Sequence, residues 1–490
     1  MSGGVRATLP PGCVLDQRVR TDFNDDDQED LIAMQPFTIL RCVEKKAFGF
    51  SSQLQASAEE MVQRMDIGVH LADTPPGLSC LGLRGSSPFA NIEAVDRGTI
   101  VLRTTLLHDF GHIVYLIYDA VNGSLHVIPT PQNPSWGFTG LTNRILIQRP
   151  RYCHDYALVL AGKLHVTYGG QDQDALLLWR PISSSSPPWS EVKKATFPNK
   201  SLIDMSMFRA DMAFSVNGIS YWADLLRGIT YCLCDNLFNN EGDDDPVVKF
   251  GFFPLPGELP GADHRRSNSR VAQPKAYRNM GVVRDSIIQF ISIDGVLEHV
   301  DLKDRTVTVW RLLDHDMGWK KEYELRIETL WGLDGFGDIP KDITPMYPLL
   351  STEDHDVVYF ALGEYRENSE KQRNRKFIPT QAHYLLAVNL QNKTIQASVC
   401  LVDYFGDPGI PNLVSCDFGR YIHAVGHDLY IMMMETMKQT SLTSMDPFDY
   451  DEVEAAKMMR ERPWIWQETL NLQGGPVFPE RYYLEPLWLN

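Results

Sequence analysis

The chain has 490 residues, a length that fits about three ordinary domains or one large repetitive one, and 43% of its residues are hydrophobic against 22% charged. That balance is typical of folded proteins and excludes a wholly disordered or fibrous chain. With 46 Lys and Arg against 63 Asp and Glu, the formal charge is −17; the chain lacks the global attraction that non-specific nucleic-acid or anionic-membrane binding needs.

In chain order, Met1 to Pro11 has no basic segment followed by an apolar run, so no secretory signal is expected. No apolar stretch approaches the roughly 20 residues of a membrane span: Leu102 to Tyr118 is broken by Arg103, His108, Asp109 and His112. A cytoplasmic or nuclear location is the expectation. The run Asp25-Asp26-Asp27 reads as a solvated loop. The first hundred residues carry no helical amphipathic pattern; DIGVHLA and LSCLGLRG read as strands that complete or cap a ring. From there on, short runs rich in Val, Ile, Tyr and Phe alternate with polar residues and are separated by Gly, Asn, Asp and Pro turns. Hairpins are read at Ile113 to Ile128 around Asn122-Gly123, at Tyr156 to Tyr168 around Ala161-Gly162-Lys163, and at Met212 to Ala223 around Asn217-Gly218. Others follow at Met280 to Ile293 around Arg284-Asp285, between Val357 and Val399, and at Tyr421 to Met433 around Gly426-His427-Asp428.

Hairpin starts at Tyr156, Met212, Met280, Val357 and Tyr421 recur irregularly, and several units close on a strand ending in Pro: HVIPTP, SEVKKATFP and FGFFPLP. One four-stranded sheet per roughly 40 to 50 residues plus loop insertions describes an all-β propeller of about six blades. Two packed β-sandwiches are the alternative. The expected organisation is an N-terminal strand-rich region over 1–98, a propeller core over 99–434, and a short helix at Tyr450 to Arg462 followed by a closing strand in 435–490. Glu258 to Pro274 and Glu364 to Phe377 read as insertions, the second holding the basic cluster Lys371, Arg373, Arg375 and Lys376.

Eight cysteines are scattered along the chain, and buried free thiols are expected. Cys232 and Cys234 would share one face of a strand, but no second pair or nearby His completes a metal site. The four-residue spacing of His108 and His112 suits a helix, whereas Gly111 and the flanking strands place them in a turn; His423 and His427 straddle another turn. The acids Asp243-Asp244-Asp245 and Asp446, Asp449 and Asp451 lack the spacing of a calcium loop. Asn122, Asn199 and Asn392 head glycosylation sequons that matter only in a secreted protein. Nucleophile elbows, phosphate loops, dinucleotide fingerprints and zincin motifs are missing, which argues against several enzyme classes. No catalytic residue, cofactor or metal is assigned. Trp179, Trp189, Trp222 and Trp310 read as packing anchors between blades.

The stretch GISYWADLLRGITYCLCDNL, followed by FGFFPLPGELP, resembles the core of the plant domain of unknown function 1618, a family expanded in grasses. The matching positions are Trp222, Asp224, Leu226-Arg227-Gly228 and Cys234-Asp235, with PGCVLDQRV, DTPPGLSCLGL and WGLDGF as flanking landmarks. The resemblance implies a fold similar to F-box-associated and kelch-type propellers, without an F-box, and no established activity. Gly169-Gly170, Trp179 and Pro188-Trp189 form one kelch-like piece. The function expected from this architecture is a non-enzymatic scaffold whose loops bind another protein, neither nucleic acid nor membrane. The alternatives are an F-box-less recognition subunit of a ubiquitin ligase, and a hydrolase or sugar-binding propeller with a site in its channel.

Overall fold

The computed structural model describes residues 12–21, 38–40, 42–72, 76–85, 90–106, 109–131, 136–137, 145–148, 156–164, 173–181, 189, 191–198, 208–234, 247–256, 274–296, 300–313, 318–337, 339–341, 343–368, 376–401 and 412–426. Their strands form six sheets. Blade I runs outward from Ala90–Asp96 through Thr99–Leu106, Asp109–Asp119 and Ser124–Pro129, with Glu44–Ala47 added in parallel at its rim. Blade II holds Leu146–Gln148, Ala157–Leu164, Gln173–Trp179 and Glu191–Thr196, blade III Met212–Val216, Ile219–Asp224, Gly228–Leu233 and Gly251–Pro254. Blade IV comprises Arg278–Val283, Ile287–Asp294, Thr306–Leu312 and Trp319–Arg326; blade V comprises Thr344–Leu350, Val357–Asn368, Lys376–Asn389 and Thr394–Cys400.

Blade VI is assembled from both ends of the described chain. Leu413–Cys416 is its inner strand and pairs antiparallel with Cys13–Asp16, which is followed outward by Leu78–Arg84 and Asp66–His70. The ring then closes on blade I, where the Val19 amide donates to the Ala90 carbonyl at 3.1 Å and the Ile92 amide to the Gln17 carbonyl at 2.8 Å. The architecture is a six-bladed β-propeller.

Each blade is sandwiched between two others, so both faces of its middle strands are buried and the apolar runs are nearly continuous, as in Ile287–Asp294 and Ile219–Asp224. The cores accordingly lie between blades: one joins I to II, one II to III, one III to IV, a large one IV and V to VI, and one VI back to I. Trp179, Trp189, Trp222 and Trp310 are all buried in these layers. The Pro-terminated strands also reach between blades. The Trp189 indole donates to the Pro129 carbonyl, and the Trp319 indole to the Pro254 carbonyl, both at 2.8 Å.

A short polar residue recurs at the end of a middle strand in five blades, the second strand in blades III, IV and VI and the third in blades I and V. Asp16 accepts from the Arg18 amide, Asp119 from Val121 and Asn122, Asp224 from Leu226, and Asn389 from Asn392; Asp294 instead accepts from the Thr308 hydroxyl across its hairpin. The acceptor side chains Asp16, Asp119, Asp224 and Asn389 are buried while Arg18, Asn122 and Asn392 are exposed, so a short side chain at the strand end anchors a surface turn through its amides.

Several expected elements differ. Ala161-Gly162-Lys163 is not a turn: Ala157–Leu164 is one strand, and Gly162 sits opposite Ala175, where small residues let the blades approach. The HDFGH segment is not a turn at His112 either, because Asp109–Asp119 is a strand and Asp109 already pairs with Leu106. Tyr421 begins no hairpin; Phe418–Gly426 is a helix whose Phe418, Tyr421 and Ile422, at helical spacing, pack into the core beneath blade VI. His423 therefore lies on a helix, not in a hairpin. The first hundred residues contain a helix, Ser52–Arg64, that buries Ala58, Met61 and Val62 on one face. Asp25-Asp26-Asp27, the kelch-like Gly169-Gly170, Asp243-Asp244-Asp245, most of both insertions, including Lys371, Arg373 and Arg375, and everything after Gly426 lie outside the described residues. Among the described residues no helix is long and apolar enough to cross a membrane.

The hairpin at Asn217-Gly218 has both residues at positive φ, 52° and 74°, as a two-residue turn matched to strand twist requires. Gly218→Val places a β-branched residue in that conformation and is expected to cost about 1–3 kcal/mol in urea unfolding. A variant that unfolds with its parent would contradict this turn geometry.

Candidate functional site

The inner strands of the blades surround the ring axis. A cavity of about 120 Å³ lies there, lined from five blades by residues that include Glu93, Met212, Lys275, Met280, Tyr347 and Asn412. Its wall is partly held by a distortion of blade V. Register slips between Met346 and Leu349, and Tyr347 takes a φ of 48°, a strained value for an aromatic residue. The Asn279 side-chain amide braces the bulge by donating to the Pro348 carbonyl at 2.8 Å, and burial pushes the Tyr347 hydroxyl up to about 12.

The turns that leave the inner strands carry charge. Arg420, just after the inner strand of blade VI, reaches Glu353 of blade V at 2.6 Å and Asp285 of blade IV at 3.7 Å. Arg284 donates to the Glu353 carbonyl at 3.1 Å and lies 3.8 Å from Asp354, while its own amide donates to the carbonyl of Thr352, a residue that lines the cavity. Asp285 is 70% exposed and Arg284 54%, so the cluster presents charge outward while bridging three blades. In the same segment, ligand atoms of Asp354, His355 and Asp356 lie within 4.8 Å of one another. Their carboxylates are already engaged: Asp354 accepts from the Asp356 amide, and Asp356 accepts from the Tyr323 hydroxyl and lies 3.2 Å from His355 Nε2. The STEDHDVVY run that supplies them was not singled out from the sequence, because nothing in its spacing marks a convergent group.

The positions singled out from the sequence lie together on blade III, away from the axis. Trp222 is fully buried and packs on Phe250. Asp224, also buried, accepts from the Arg209 amide, the Leu226 amide and the Arg227 guanidinium at 2.9, 2.9 and 3.0 Å. Leu226 packs against the core of blades IV to VI, and the buried Arg278 of blade IV donates to the Leu225 carbonyl at 3.1 Å. Gly228 has a φ of 155°, and a β-carbon there would stand 2.2 Å from the Phe253 carbonyl oxygen. Cys234 is buried with its sulfur 3.5 Å from the Ser220 hydroxyl, and burial raises the neighbouring Cys232 thiol far above its ordinary range. Asp235 lies outside the described residues. The arrangement clamps a turn to the next blade.

Two measurements test this site. Asp224→Ala strands a guanidinium and two amides and is expected to cost about 2–4 kcal/mol in urea unfolding. At the end of the closing strand, burial together with the carboxylates Asp96 and Asp285, opposed by Arg420, pushes the Asp417 carboxyl from 3.8 up to about 7. The folded chain then holds this proton when the unfolded one has lost it, so Asp417's contribution falls as pH rises from about 4 to about 7. Asp417→Asn is expected to flatten that fall by on the order of 2–4 kcal/mol across the window, read as denaturation midpoints of variant and parent.

No curated protein matches the sequence detectably. Solved structures that resemble it include a hypothetical selenium-binding protein from Sulfolobus tokodaii, at 10% identity and a TM-score of 0.32 over 73% of this chain and 81% of that one. They also include a mutant GH43 protein from Bacillus licheniformis (10% identity, TM-score 0.26, 65% of this chain and 56% of that one). A xylan beta-1,4-xylosidase from Bacillus halodurans matches at 10% identity and a TM-score of 0.27, over 62% of this chain and 53% of that one. The chain thus spans little more than half the length of either Bacillus protein. Residues 222–359, from the buried Trp222 of blade III through blade IV to the second strand of blade V, match the family described as Protein of unknown function (DUF1618).

Proposed function

We propose that this propeller is a non-enzymatic interaction module that binds a protein partner on the charged face formed by the turns of blades IV, V and VI. The observation that carries the reading is the size of the axial cavity. At about 120 Å³ it has room for a few water molecules, whereas pockets for drug-sized ligands run to about 300–1,000 Å³. The exposed Arg284 and Asp285, set around the half-buried Arg420, Glu353 and Asp354 so that both signs interleave, suit electrostatic recognition of a partner.

A second reading, a small-metabolite or sugar site on the axis, draws on Glu93 and Lys275, charges brought to the cavity from different blades. The two readings separate experimentally. Affinity capture with the parent and with an Arg284→Glu, Asp285→Lys variant of equal melting temperature is expected to recover a partner that only the parent retains. An unchanged partner set removes the charged face from consideration. A calorimetric heat with a small sugar that is lost in Glu93→Gln would transfer the function to the axis.

A further inference from the structure

Cys13 and Cys416 are 403 residues apart in the chain, yet they are direct register partners across the antiparallel pair that closes blade VI. Their sulfurs lie 3.5 Å apart, and each residue is 5% exposed. Directly opposed residues of antiparallel strands have α-carbons about 4.5–5.5 Å apart, within the span a disulfide bridges. The other cysteines found in paired strands face different residues: Cys80 opposes His70, Cys232 opposes Ser220, and Cys400 opposes Tyr384.

We propose that Cys13 and Cys416 form a disulfide site that closes the propeller ring covalently. The oxidant class is a small-molecule disulfide. One cysteine thiolate attacks it and forms a mixed disulfide with release of one small thiol. The second cysteine thiolate then attacks the protein sulfur of that mixed disulfide, forming the Cys13–Cys416 bond and releasing the second small thiol. The protein loses two hydrogens, and the oxidant is reduced to two thiols.

The closed ring sets the kinetics of this step. The hydrogen bond with Cys13 and burial hold the Cys416 thiol well above its ordinary range, so it is a poor nucleophile in place. Reaction therefore proceeds through fraying of the two-strand closure, and the bond, once formed, prevents the same fraying. Closure is the step with most to gain, because a cross-link between residues this far apart removes more freedom from the unfolded chain than one closing a short loop.

The test uses the full chain with Cys400→Ser, which removes a thiol that shares the tryptic peptide of Cys416. The protein is incubated with oxidised glutathione at pH 8, with and without about 2 M urea to promote opening, and digested without reduction. The expected result is a peptide pair joined through Cys13 and Cys416, two hydrogens lighter than its parts. The melting temperature should rise by on the order of 5 °C and return with dithiothreitol. Further substitution of Cys416→Ser should abolish the linked peptide and make that variant's melting temperature insensitive to oxidised glutathione and dithiothreitol, and Cys80→Ser should alter neither the linked peptide nor the shift. Glutathione adducts or other pairings without the Cys13–Cys416 peptide would overturn the proposal. So would thiols that stay free even in urea, or a cross-linked protein that melts with the reduced one.

Discussion

A closed ring of sheets has no end strand to spare, and the hydrogen bonds that make it a ring are those between Leu413–Cys416 and Cys13–Asp16. Every other blade is built from one continuous stretch of chain, with a further strand added in parallel at the rim of blades I and II. Blade VI joins the two ends of the described chain, and through it the core between VI and I meets the core that spans IV, V and VI. Opening that pair would expose two interblade layers at once. The placement of two contacting thiols at its edge, and of Phe418–Gly426 packed beneath it, concentrates stabilising contacts where a ring is topologically weakest.

Burial on both faces sets the second constraint. Where strand ends are buried, the chain supplies acceptors that anchor the turns that follow. Asp16, Asp119, Asp224 and Asn389 do this by reaching the amides of the turns that follow them. At Asp224 the device is extended: Arg227 pairs with the carboxylate, Leu226 enters the neighbouring core, and Leu225 accepts from Arg278 of the next blade. Asp224, Leu225, Leu226 and Arg227 thus act together in holding this turn against the next blade. Trp189 and Trp319, donating to Pro carbonyls one blade away, are the apolar counterpart.

Chemistry is distributed accordingly. A small cavity lies at the axis beside a strained Tyr347. Charge collects on the turns that leave those strands, where Arg420 joins blades IV, V and VI through Asp285 and Glu353. The same side chains thus brace the closure and present charge outward.

The sequence by itself determined the all-β class, a propeller of about six blades as the favoured reading, and the hairpins at Asn122-Gly123, Asn217-Gly218 and Arg284-Asp285, because period-two alternation and turn residues are local properties, whereas the sixth blade it placed at Tyr421 is built instead from Leu413–Cys416 and N-terminal strands. It misread Ala161-Gly162 as a turn, since small residues inside a strand look like punctuation until the neighbouring blade is present. It also missed two helices, Ser52–Arg64 and Phe418–Gly426, whose apolar faces are short and gain meaning only from the core they cover. Tertiary structure alone decided which strands pair to close the ring, which thiols meet, and which charges from blades IV, V and VI converge. Those contacts join residues up to 403 positions apart, and no local pattern records a partner at that distance.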